Sequence, residues 1–464
     1  MFEKVLIANR GEIACRVIRT CQRLGIKTVA VHSEADAAAP HVAMADEAVC
    51  IGPAPVRESY LALERIVQAA RDTGAAAVHP GYGLLSENPR FPRALEAAQV
   101  TFIGPPPEVL EAFGDKLKAR AVARSVGVSP PPGTDGPIDP TDPAFVLSEA
   151  ARIGYPVLVK AAGGGGGIGM QIVQRDKQLE RAVASCADRG RAAFGDERVY
   201  LERYVESPKH IEVQVLCDAH GHAIALGDRE CSLQRRHQKI IEEAPSAAPF
   251  FRGADGAARR KDLHDAALRI VRSAGYLGAG TVEFVASPTG ELFFLEVNAR
   301  LQVEHCVTEM CTGIDLVEEQ LRIAAGLAIS ERALAAELSG HAIEARVYAE
   351  DPARGFVPQP GTITKLAWPS PRAHLRVEAG ILEGSEVTPF YDPMLAKLVV
   401  HGADRQEAIA RLSEVLAETR LTLEGASGPG ATNLGFCREV LASPAFIDAT
   451  YDTRFAEALA KGKA

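Results

Sequence analysis

The stretch VLVKAAGGGGGIGMQIVQ, residues 157–174, places five consecutive glycines between two β-like segments. Because glycine has no side chain, its backbone N–H groups can approach phosphate oxygens closely. Gly164, Gly166 and Gly169 even satisfy the spacing G-x-G-x-x-G of dinucleotide-binding loops. That motif must open a helix, whereas here the run leads into a second strand, residues 171–174. The stretch therefore predicts a glycine-rich hairpin over phosphates, with a plain flexible loop as the alternative.

The residues on either side of the glycines narrow this prediction. No Gly-Lys-Ser/Thr sequence closes the run, which excludes a P-loop. Lys160 ends the first strand of the hairpin and is predicted to place a cation beside the phosphates.

Outward from the hairpin, the chain divides into three parts. Residues 1–113 alternate short strands and helices, beginning with VLIAN and the amphipathic helix GEIACRVIRTCQRLG. Such alternation predicts a parallel sheet with helices on its faces. The proline-rich stretch 129–143 cannot continue a helix or a central strand, so it marks a linker or a domain edge. A third unit with several strands and one amphipathic helix begins at residue 341.

The length of 464 residues agrees with this division, since roughly 150 residues per domain gives about three domains. We predict an α/β and α+β protein with domains at residues 1–113, 114–340 and 341–464. The glycine-rich hairpin belongs to a subdomain of the second domain, at about residues 132–204.

A pair of carboxylates is predicted on a second hairpin, TVEFVASPTGELFFLEVNAR, residues 281–300. If its turn centres on residues 289–290, Glu283 lies opposite Glu296, roughly 5 Å away on the same face. Asn298 is two residues further on and points the same way. Like charges facing each other destabilise a sheet unless a cation lies between them, and hard oxygen ligands suit Mg²⁺. The alternative is a solvated acidic face.

Two neighbouring segments add polar groups. Arg300, Gln302 and Glu304 alternate with apolar residues, which predicts a cation, an amide and a carboxylate on one face, suited to a small anion and a base. His305 falls on the other parity and is expected to be structural. The densest cationic segment, GDRECSLQRRHQKIIEE at residues 227–243, predicts either a solvated loop or a local anion site.

Composition excludes other classes of protein. The formal net charge of −9 provides no global positive field for nucleic acid or an anionic membrane. No stretch approaches the roughly 20 apolar residues of a membrane span, and we expect a cytoplasmic protein. The nine cysteines form no CxxC pair, so most are expected to be small buried hydrophobes.

Together, these motifs resemble the biotin carboxylase family of the ATP-grasp fold, as a subunit or domain of a biotin-dependent carboxylase. The match spans nearly the whole chain. It includes IANRGEIACR, HPGYGLLSEN, FIGP, GDK, GYPVLVKAAGGGGGIGM, HIEVQV, CSLQRRHQK, FLEVNARLQVEH, EQLRIAAG, GHAIEARVYAEDP and YDPMLAKL. The resemblance implies a Rossmann-like (pre-ATP-grasp) N-terminal domain, an ATP-grasp domain with a glycine-rich lid and a mixed C-terminal domain.

The resemblance also implies an activity, that of an ATP-dependent ligase forming a C–N bond. ATP activates bicarbonate as carboxyphosphate, which carboxylates biotin at a ureido nitrogen. The implied cofactors are ATP and Mg²⁺, with Mn²⁺ as an alternative, and biotin is a substrate on a partner carrier. The implied partners are a biotin carboxyl carrier protein or domain, a carboxyltransferase subunit and a second copy of the chain. Neither nucleic acid nor a membrane is expected.

Site residues follow from the matching motifs. Those implied for ATP are Lys116, Lys160, Gly164, Gly165, Gly166, Gly167, Met170, Glu202, His210, Gln234 and His237. Those implied for the metal are Glu283, Glu296 and Asn298. Those implied for bicarbonate and biotin are Lys239, Arg300, Gln302, the backbone of Val303, Glu304 and Arg346. Glu304 is implied as the base for bicarbonate, and Arg346 as the group that stabilises the enolate-like oxygen of biotin.

Three positions depart from the commonest family pattern. Ile168 stands where many members have Arg, and an Ile at this position resembles the urea carboxylase branch. Arg203 replaces a frequent Lys, and Cys306 replaces a usual Pro behind Glu304. None of these changes removes a proposed catalytic group.

Several alternatives stay open. The final carboxyl acceptor could be acetyl-CoA, another acyl-CoA or a urea- or guanidine-like amide. A different ATP-grasp ligase that joins a carboxylate to an amine is the second class of function, and a catalytically inactive binding subunit is the third. A biotinylated carrier domain would need a Met-Lys pair, which the chain lacks, so we expect the carboxylase step alone.

Overall fold

The N-terminal part of the molecule is a parallel sheet covered by helices. A computed structural model describes residues 1–163, 169–426 and 428–462. The first elements are β1 (Lys4–Ile7), α1 (Gly11–Arg23), β2 (Lys27–His32), α2 (Pro40–Met44), β3 (Glu47–Cys50), α3 (Leu63–Thr73), β4 (Ala77–His79), α4 (Arg90–Ala97) and β5 (Thr101–Phe102). The strands are all parallel, in the order β3-β2-β1-β4-β5, which confirms the sheet predicted from the alternating pattern.

Helix α1 shows why this part folds as the sequence predicts. Ile13, Val17 and Ile18 repeat at helical spacing and are buried. Burying each such side chain stabilises the fold by about 1.5–3 kcal/mol. Gly25 follows the helix with a φ of 71°, a left-handed conformation that only glycine adopts without strain.

The middle part of the chain contains both hairpins. Its elements are α5 (Pro107–Gly114), α6 (Lys116–Ser125), α7 (Pro143–Ile153), β6 (Val157–Ala161), β7 (Met170–Val173), α8 (Leu179–Phe194), β8 (Val199–Arg203), β9 (Lys209–Cys217), β10 (Ala223–Arg235), β11 (Gln238–Ala244), α9 (Gly256–Ser273), β12 (Gly278–Ala286), β13 (Leu292–Asn298), α10 (His305–Thr312), α11 (Leu316–Ala324) and α12 (Glu331–Leu334).

Strands β6 and β7 confirm the strand–glycine–strand prediction. They pair antiparallel, with Lys160 opposite Met170, and β8 completes a three-stranded sheet. Helix α8 packs on this sheet. The proline-rich stretch is not a regular element before α7; it touches β8 through isolated bridges at Gly133 and Ile138.

The last part of the chain is mainly strands. Its elements are β14 (His341–Tyr348), β15 (Glu350–Asp351), β16 (Val357–Pro358), β17 (Gly361–Ala367), β18 (Leu375–Ala379), β19 (Glu386–Val387), β20 (Met394–Gly402), α13 (Arg405–Glu418), β21 (Arg420–Gly425), β22 (Gly428–Gly430), α14 (Leu434–Ala442), α15 (Pro444–Ile447) and α16 (Phe455–Ala460).

An eight-stranded antiparallel sheet joins the middle and last parts. Its order is β13-β12-β9-β10-β11-β14-β20-β18, and the pairing of β11 with β14 crosses the predicted boundary at residue 340. This sheet forms the floor of the candidate site. The predicted domain boundaries themselves stay a prediction.

Two further expectations concern the whole chain. Eight of the nine cysteines are buried and all nine are free thiols, with Cys50 the exposed one. Among the helices that the structure describes, none combines the length and apolar character needed to cross a bilayer.

Candidate active site

A cavity of about 260 Å³ lies on the large sheet and gathers the residues predicted from distant motifs. Of the predicted residues that the structure describes, only Glu202 is not part of its wall. The predicted residues in the wall are Lys116, Lys160, Met170, His210, Gln234, His237, Lys239, Glu283, Glu296, Asn298, Arg300, Gln302, Val303, Glu304 and Arg346. Gly164, Gly165, Gly166, Gly167 and Ile168 lie outside the described residues.

A second cavity of about 550 Å³ adjoins the first and shares Lys160, Met170 and His210 with it. Glu202 lies in its wall, beside apolar side chains of the lid and of the sheet. The wall also includes Thr453, Arg454 and Glu457 from the end of the chain, which the sequence reading missed. No local motif marks these three residues, since only the fold brings them to the cavity.

The β12–β13 hairpin, which carries the predicted metal ligands, has the predicted pairing of the two carboxylates, but its register near the turn differs from the prediction. Glu283 on β12 is opposite Glu296 on β13, as expected. Near the turn, however, Phe284 is opposite Phe294, so the register there is shifted by one residue. A β-bulge between Glu283 and Phe284 absorbs the shift, because one extra residue on a strand restores the pairing beyond it.

A third carboxylate lies beside this pair. Glu212 on β9 is directly opposite Glu283 on the other side of β12 and is fully buried. Glu212 belongs to the HIEVQV motif, but it is not among the predicted site residues. Its alternation with apolar residues along β9 was the available signal.

Protein donors surround Glu283. His210 Nε2 lies 3.1 Å and Lys239 Nζ 3.2 Å from its carboxylate, and the side-chain amides of Asn298 and Gln302 each donate to it at 2.7 Å. Burial alone would raise the pKa of Glu283, but the charges of Lys239 and His210 outweigh it and the pKa is lowered. Glu283 is therefore an anion that can act as a metal ligand.

The donor set fits Mg²⁺. Glu283, Glu296 and Asn298 offer two carboxylates and an amide from adjacent strands, and hard oxygen ligands are what Mg²⁺ prefers. Glu296 is partly exposed toward the cavity, with Lys116 Nζ at 3.9 Å from its carboxylate. These three residues could hold the ion between the protein and the phosphates of a nucleotide.

Glu304 is held between two cations at the other end of the cavity. Lys239 Nζ donates to it at 2.5 Å and Arg346 Nη2 at 2.9 Å. Burial opposes ionisation, yet the charges of Lys239, Arg346 and Arg229 hold the pKa of Glu304 well below its usual range. Glu304 is thus ionised and can accept a proton from a ligand.

Lys239 links three carboxylates of the site. Its Nζ lies 2.6 Å from Glu212, 3.2 Å from Glu283 and 2.5 Å from Glu304. Burial lowers the pKa of a lysine, but the surrounding acidic groups raise that of Lys239 well above its usual value. The result is a permanent cation beside the predicted base.

The two lysines predicted for phosphates are placed by local structure. Lys116 begins α6, whose N-terminus is capped by the Asp115 side chain. Lys160 is the penultimate residue of β6 and donates to Glu202 at 3.0 Å, while Arg120 pairs with the other oxygen of Glu202 at 3.0 Å. Glu202 therefore orients Lys160, a role that the sequence reading did not assign.

Residues 300–304, whose alternation predicts three polar side chains on one face, do not form a strand. Strand β13 ends at Asn298 and α10 begins at His305, so the segment between them is irregular. Arg300, Gln302 and Glu304 nevertheless line the same cavity, because the turn into the helix directs them there.

The cationic segment is not the solvated loop of the first alternative, and the second alternative, a local anion site, stays a prediction. It forms β10 and β11, joined by a tight turn at Arg236 and His237. Both turn residues have positive φ, 47° and 66°, where Asn-Gly is the favoured pair. Such strain in non-glycine residues is typical of ligand sites, and His237 lines both cavities.

Arg229, in the same segment, lies beneath the cavity rather than in solvent. Its guanidinium pairs with Glu212 and donates to the side-chain oxygens of Gln214 (2.7 Å), Thr308 (2.9 Å) and Gln302 (2.8 Å). From the sequence alone, Arg229 is only one member of the cationic segment at residues 227–243.

Arg346 separates the main cavity from a third one of about 390 Å³. Its guanidinium contacts Glu304 and Glu242. The third cavity lies between the first and last parts of the chain, with Tyr82 and Phe390 in its wall.

The three-stranded sheet that carries Lys160 and the large antiparallel sheet that carries Glu283 and Glu296 both contribute to the wall of this cavity, as in proteins of the ATP-grasp fold. Three protein-family profiles match the chain in order: Biotin carboxylase, N-terminal domain, at residues 1–110; Carbamoyl-phosphate synthase L chain, ATP binding domain, at residues 115–332; and Biotin carboxylase C-terminal domain, at residues 344–458. The chain belongs to the biotin carboxylase family.

Individual relatives agree with the profiles. The chain is 48% identical to biotin carboxylase 2 of Bacillus subtilis, covering 98% of this chain and 99% of that protein. It is 46% identical to the propionyl-CoA carboxylase alpha chain of Ruegeria pomeroyi, covering 98% of this chain and 68% of the relative. It spans only 60–61% of the mammalian alpha chains that it matches.

A solved structure agrees in fold. The biotin carboxylase domain dimer of Hydrogenobacter thermophilus 2-oxoglutarate carboxylase, in complex with MgADP, ADP and bicarbonate, has a TM-score of 0.91 and 42% identity. The alignment covers 98% of this chain and 97% of that one.

Proposed function

We propose that this chain catalyses the ATP-dependent carboxylation of biotin by bicarbonate, through carboxyphosphate, with the residues of the main cavity. The observation that carries the proposal is Glu304, an ionised carboxylate fixed between Lys239 and Arg346. A base between two cations suits a small acidic anion, and the carboxylates of a metal site lie in the same cavity.

The second cavity accommodates the nucleotide in this proposal. Glu202 and His210 surround the adenine and ribose, as the family resemblance implies, and Gln234 and His237, also implied for ATP, line the same cavity. Lys116 and Lys160 contact the phosphates from the wall of the main cavity, and Lys160 also lines the second one. The resemblance implies Met170, Gly164, Gly165, Gly166 and Gly167 for ATP as well. Closure of the lid excludes water, which would otherwise hydrolyse carboxyphosphate.

The metal belongs between the nucleotide and the hairpin. Glu283, Glu296 and Asn298 would hold Mg²⁺, or Mn²⁺ in its place. A bound divalent ion neutralises charge on the transferring phosphoryl group, where phosphoryl transfer depends chiefly on positioning and electrostatics.

Bicarbonate lies at the end of the main cavity that contains Glu304, where it is held by Arg300, Gln302, the Val303 N–H and Lys239. One of its oxygens attacks the γ-phosphorus, the bond to the bridging oxygen breaks and ADP leaves. The proton of bicarbonate passes to Glu304. The ring of biotin enters from the third cavity, and Arg346 stabilises its enolate-like oxygen as the ureido nitrogen loses its proton to phosphate. The C–O bond of carboxyphosphate breaks, the carboxyl group passes to this nitrogen and phosphate leaves with the proton.

The wider reaction is also a proposal. We infer a homodimer that receives biotin on a carrier protein or domain and passes the carboxyl group to a carboxyltransferase. Relatives named propionyl-CoA and methylcrotonoyl-CoA carboxylase favour an acyl-CoA as the acceptor. Ile168 favours a urea- or guanidine-like acceptor instead, since the resemblance places Ile there in the urea carboxylase branch. We further expect the enzyme to work in the cytoplasm.

The test is ADP formation by the purified chain with Mg²⁺, ATP and bicarbonate. We expect turnover that requires bicarbonate and rises with free biotin. Glu304→Gln keeps the size of the side chain but removes the base, and should lower turnover by about 10²–10⁴-fold. A folded, Mg²⁺-replete wild-type sample without bicarbonate-dependent turnover would falsify the proposal. A screen of carboxylate and amine pairs then tests the alternative ligase.

A further inference from the structure

The irregular segment between β13 and α10 has to hold Glu304 in a fixed position. Such a position requires backbone as well as side-chain support, since a displacement of 1 Å can cost about 100-fold in rate. Neither peptide beside Val303 belongs to a strand, so both need other donors.

Two buried side chains supply those donors. His305 Nδ1 lies 2.7 Å from the Gln302 carbonyl, which can only accept, so this nitrogen carries the proton. Lys397 Nζ donates to the Val303 carbonyl at 2.7 Å. The first bond orients the peptide that contains the Val303 N–H, and the second orients the peptide that leads into Glu304.

Lys397 is buried on β20 and is not part of the cavity wall. It also lies 3.2 Å from the Glu12 carboxylate and 3.3 Å from Cys306 Sγ. Burial alone would lower its pKa, but Cys306 and Glu12 outweigh this effect and the pKa is raised. Lys397 is therefore a buried cation whose bond to Val303 is charge-assisted and strong.

The same lysine connects all three parts of the chain. Glu12 lies in the first turn of α1, Val303 follows β13 and Lys397 lies on β20. Glu12 also accepts a hydrogen bond from the Tyr82 hydroxyl, and Tyr82 lines the third cavity. The backbone beside the predicted base is thus tied to the wall of the cavity in which we place the biotin ring.

We propose that Lys397 is a positioning residue for the carboxylation of biotin, which holds the Val303–Glu304 peptide so that the Glu304 carboxylate faces bicarbonate. This inference rests on the proposed function, because it takes Glu304 as the base. It adds a residue outside the cavity, with no direct contact to either substrate.

Lys397→Met tests the inference. We expect kcat/KM for bicarbonate to fall by about 10- to 100-fold, because the Val303 carbonyl loses its donor and Glu304 is displaced. The KM for ATP should stay within about twofold of the wild-type value, since the nucleotide residues are untouched. A purely structural role would lower both specificities or neither.

Lys209→Met is the matched control. Lys209 is another buried lysine that donates to a backbone carbonyl, that of Tyr451 at 2.7 Å, and lies 3.4 Å from a carboxylate, Glu230. We expect it to lower thermal stability while kcat/KM for bicarbonate stays unchanged.

A double variant covers the case in which Lys397→Met leaves Glu12 unpaired and prevents folding. Glu12→Gln with Lys397→Met removes both charges and should fold, yet keep the same loss toward bicarbonate. Wild-type kinetics for bicarbonate in either variant, or an equal loss in Lys209→Met, would overturn the inference. A failure of the proposed function would differ, because the wild-type chain itself would then show no bicarbonate-dependent turnover.

Discussion

Arg229 is fully buried beneath the site, where a guanidinium is costly unless every donor is satisfied. It donates to the oxygen of Gln302, and this leaves the Gln302 amide nitrogen to face Glu283. It also neutralises Glu212, which in turn holds Lys239. One arginine outside the cavity therefore sets the orientation of several groups inside it.

Replacing this arginine should be severe. We expect Arg229→Met to lower the free energy of unfolding by roughly 3–5 kcal/mol, because the buried Glu212 then depends on Lys239, a cation that it shares with Glu283 and Glu304. Urea denaturation followed by circular dichroism gives the value. Arg229→Lys keeps the charge but loses the planar fork, so its loss should be smaller. A change below about 1 kcal/mol for Arg229→Met would contradict this account.

Glu242 and Glu344 form a second unusual group at the residue scale. They are directly opposite each other on β11 and β14, and both are fully buried. Burial raises the pKa of Glu242 to about 7 and that of Glu344 well above its usual value, although Arg346 and Lys397 oppose the shift. We infer that the pair retains a proton at neutral pH.

This retained proton makes stability depend on pH. A carboxyl whose pKa is raised on folding contributes its full stability when the pH is below the pKa of the unfolded chain, near 4.3. This contribution is lost as the pH rises through the pKa of the folded protein, about 7 for Glu242. Glu344→Gln removes one of the two acids. We therefore expect the thermal midpoint of Glu344→Gln, measured relative to that of the wild type, to rise between pH 5.5 and pH 8.5. This rise should correspond to about 1.4 kcal/mol for each unit by which folding raises the pKa of the wild-type carboxyl. A pH-independent difference between the two proteins would argue against a shared proton.

At the scale of elements, the β12–β13 hairpin joins the predicted metal ligands to the sheet. Glu296 is the more exposed carboxylate of the pair, and Glu283 is the buried one. Glu296 is the better residue to change, because its replacement should leave the protonation and packing of the buried residues of the large sheet intact.

We expect Glu296→Gln to weaken ATP binding only when Mg²⁺ is present. The dissociation constant should rise at least tenfold, a loss of about 1.4 kcal/mol, since an amide is a poorer ligand than a carboxylate. Calorimetry with Mg²⁺ and with EDTA separates the two conditions. Glu291→Gln changes an exposed carboxylate of the same hairpin and should have no effect. Equal weakening in EDTA would mean that Glu296 does not act through the metal.

The same hairpin shows what the sequence could and could not predict. Alternation and a turn motif were enough to pair Glu283 with Glu296, but the compensating bulge was not predictable, because the spacing of residues within the hairpin does not distinguish a bulged strand from a regular one. Alternation failed at residues 300–304, where the chain leaves the sheet to begin α10. Local patterns therefore located the site residues but not the backbone that presents them.

Residues that support the site from other elements were missed for a related reason. Glu87 binds Arg300 from 213 positions away, and Lys397 binds Val303 from 94 positions away. The sequence of its segment does not distinguish Arg229 from the neighbouring polar residues, because its partners Gln214 and Thr308 lie on β9 and α10. Their roles depend on long-range contacts, which spacing within one motif does not encode.

At the scale of the whole molecule, the large sheet makes the middle and last parts interdependent. Strand β11 pairs with β14 over four residues, from Ile241 opposite Ala345 to Ala244 opposite Ala342. The last part also supplies Arg346 to the main cavity and Glu457 to the second one. The predicted boundary at residue 340 thus separates segments of sequence that share one sheet and one site.

A chain truncated after residue 340 should consequently fail in two ways. It would expose the full edge of β11 and the apolar face that β14 and β20 cover, so we expect aggregation and loss of cooperative unfolding. Full-length Arg346→Gln separates this effect from the loss of one catalytic group, because it should fold and bind Mg²⁺-ATP while forming no carboxybiotin. Thermal unfolding and calorimetric ATP titrations of both proteins make the comparison. If the truncated chain unfolded cooperatively and bound ATP as tightly as Arg346→Gln, the shared sheet would not be what couples the two parts.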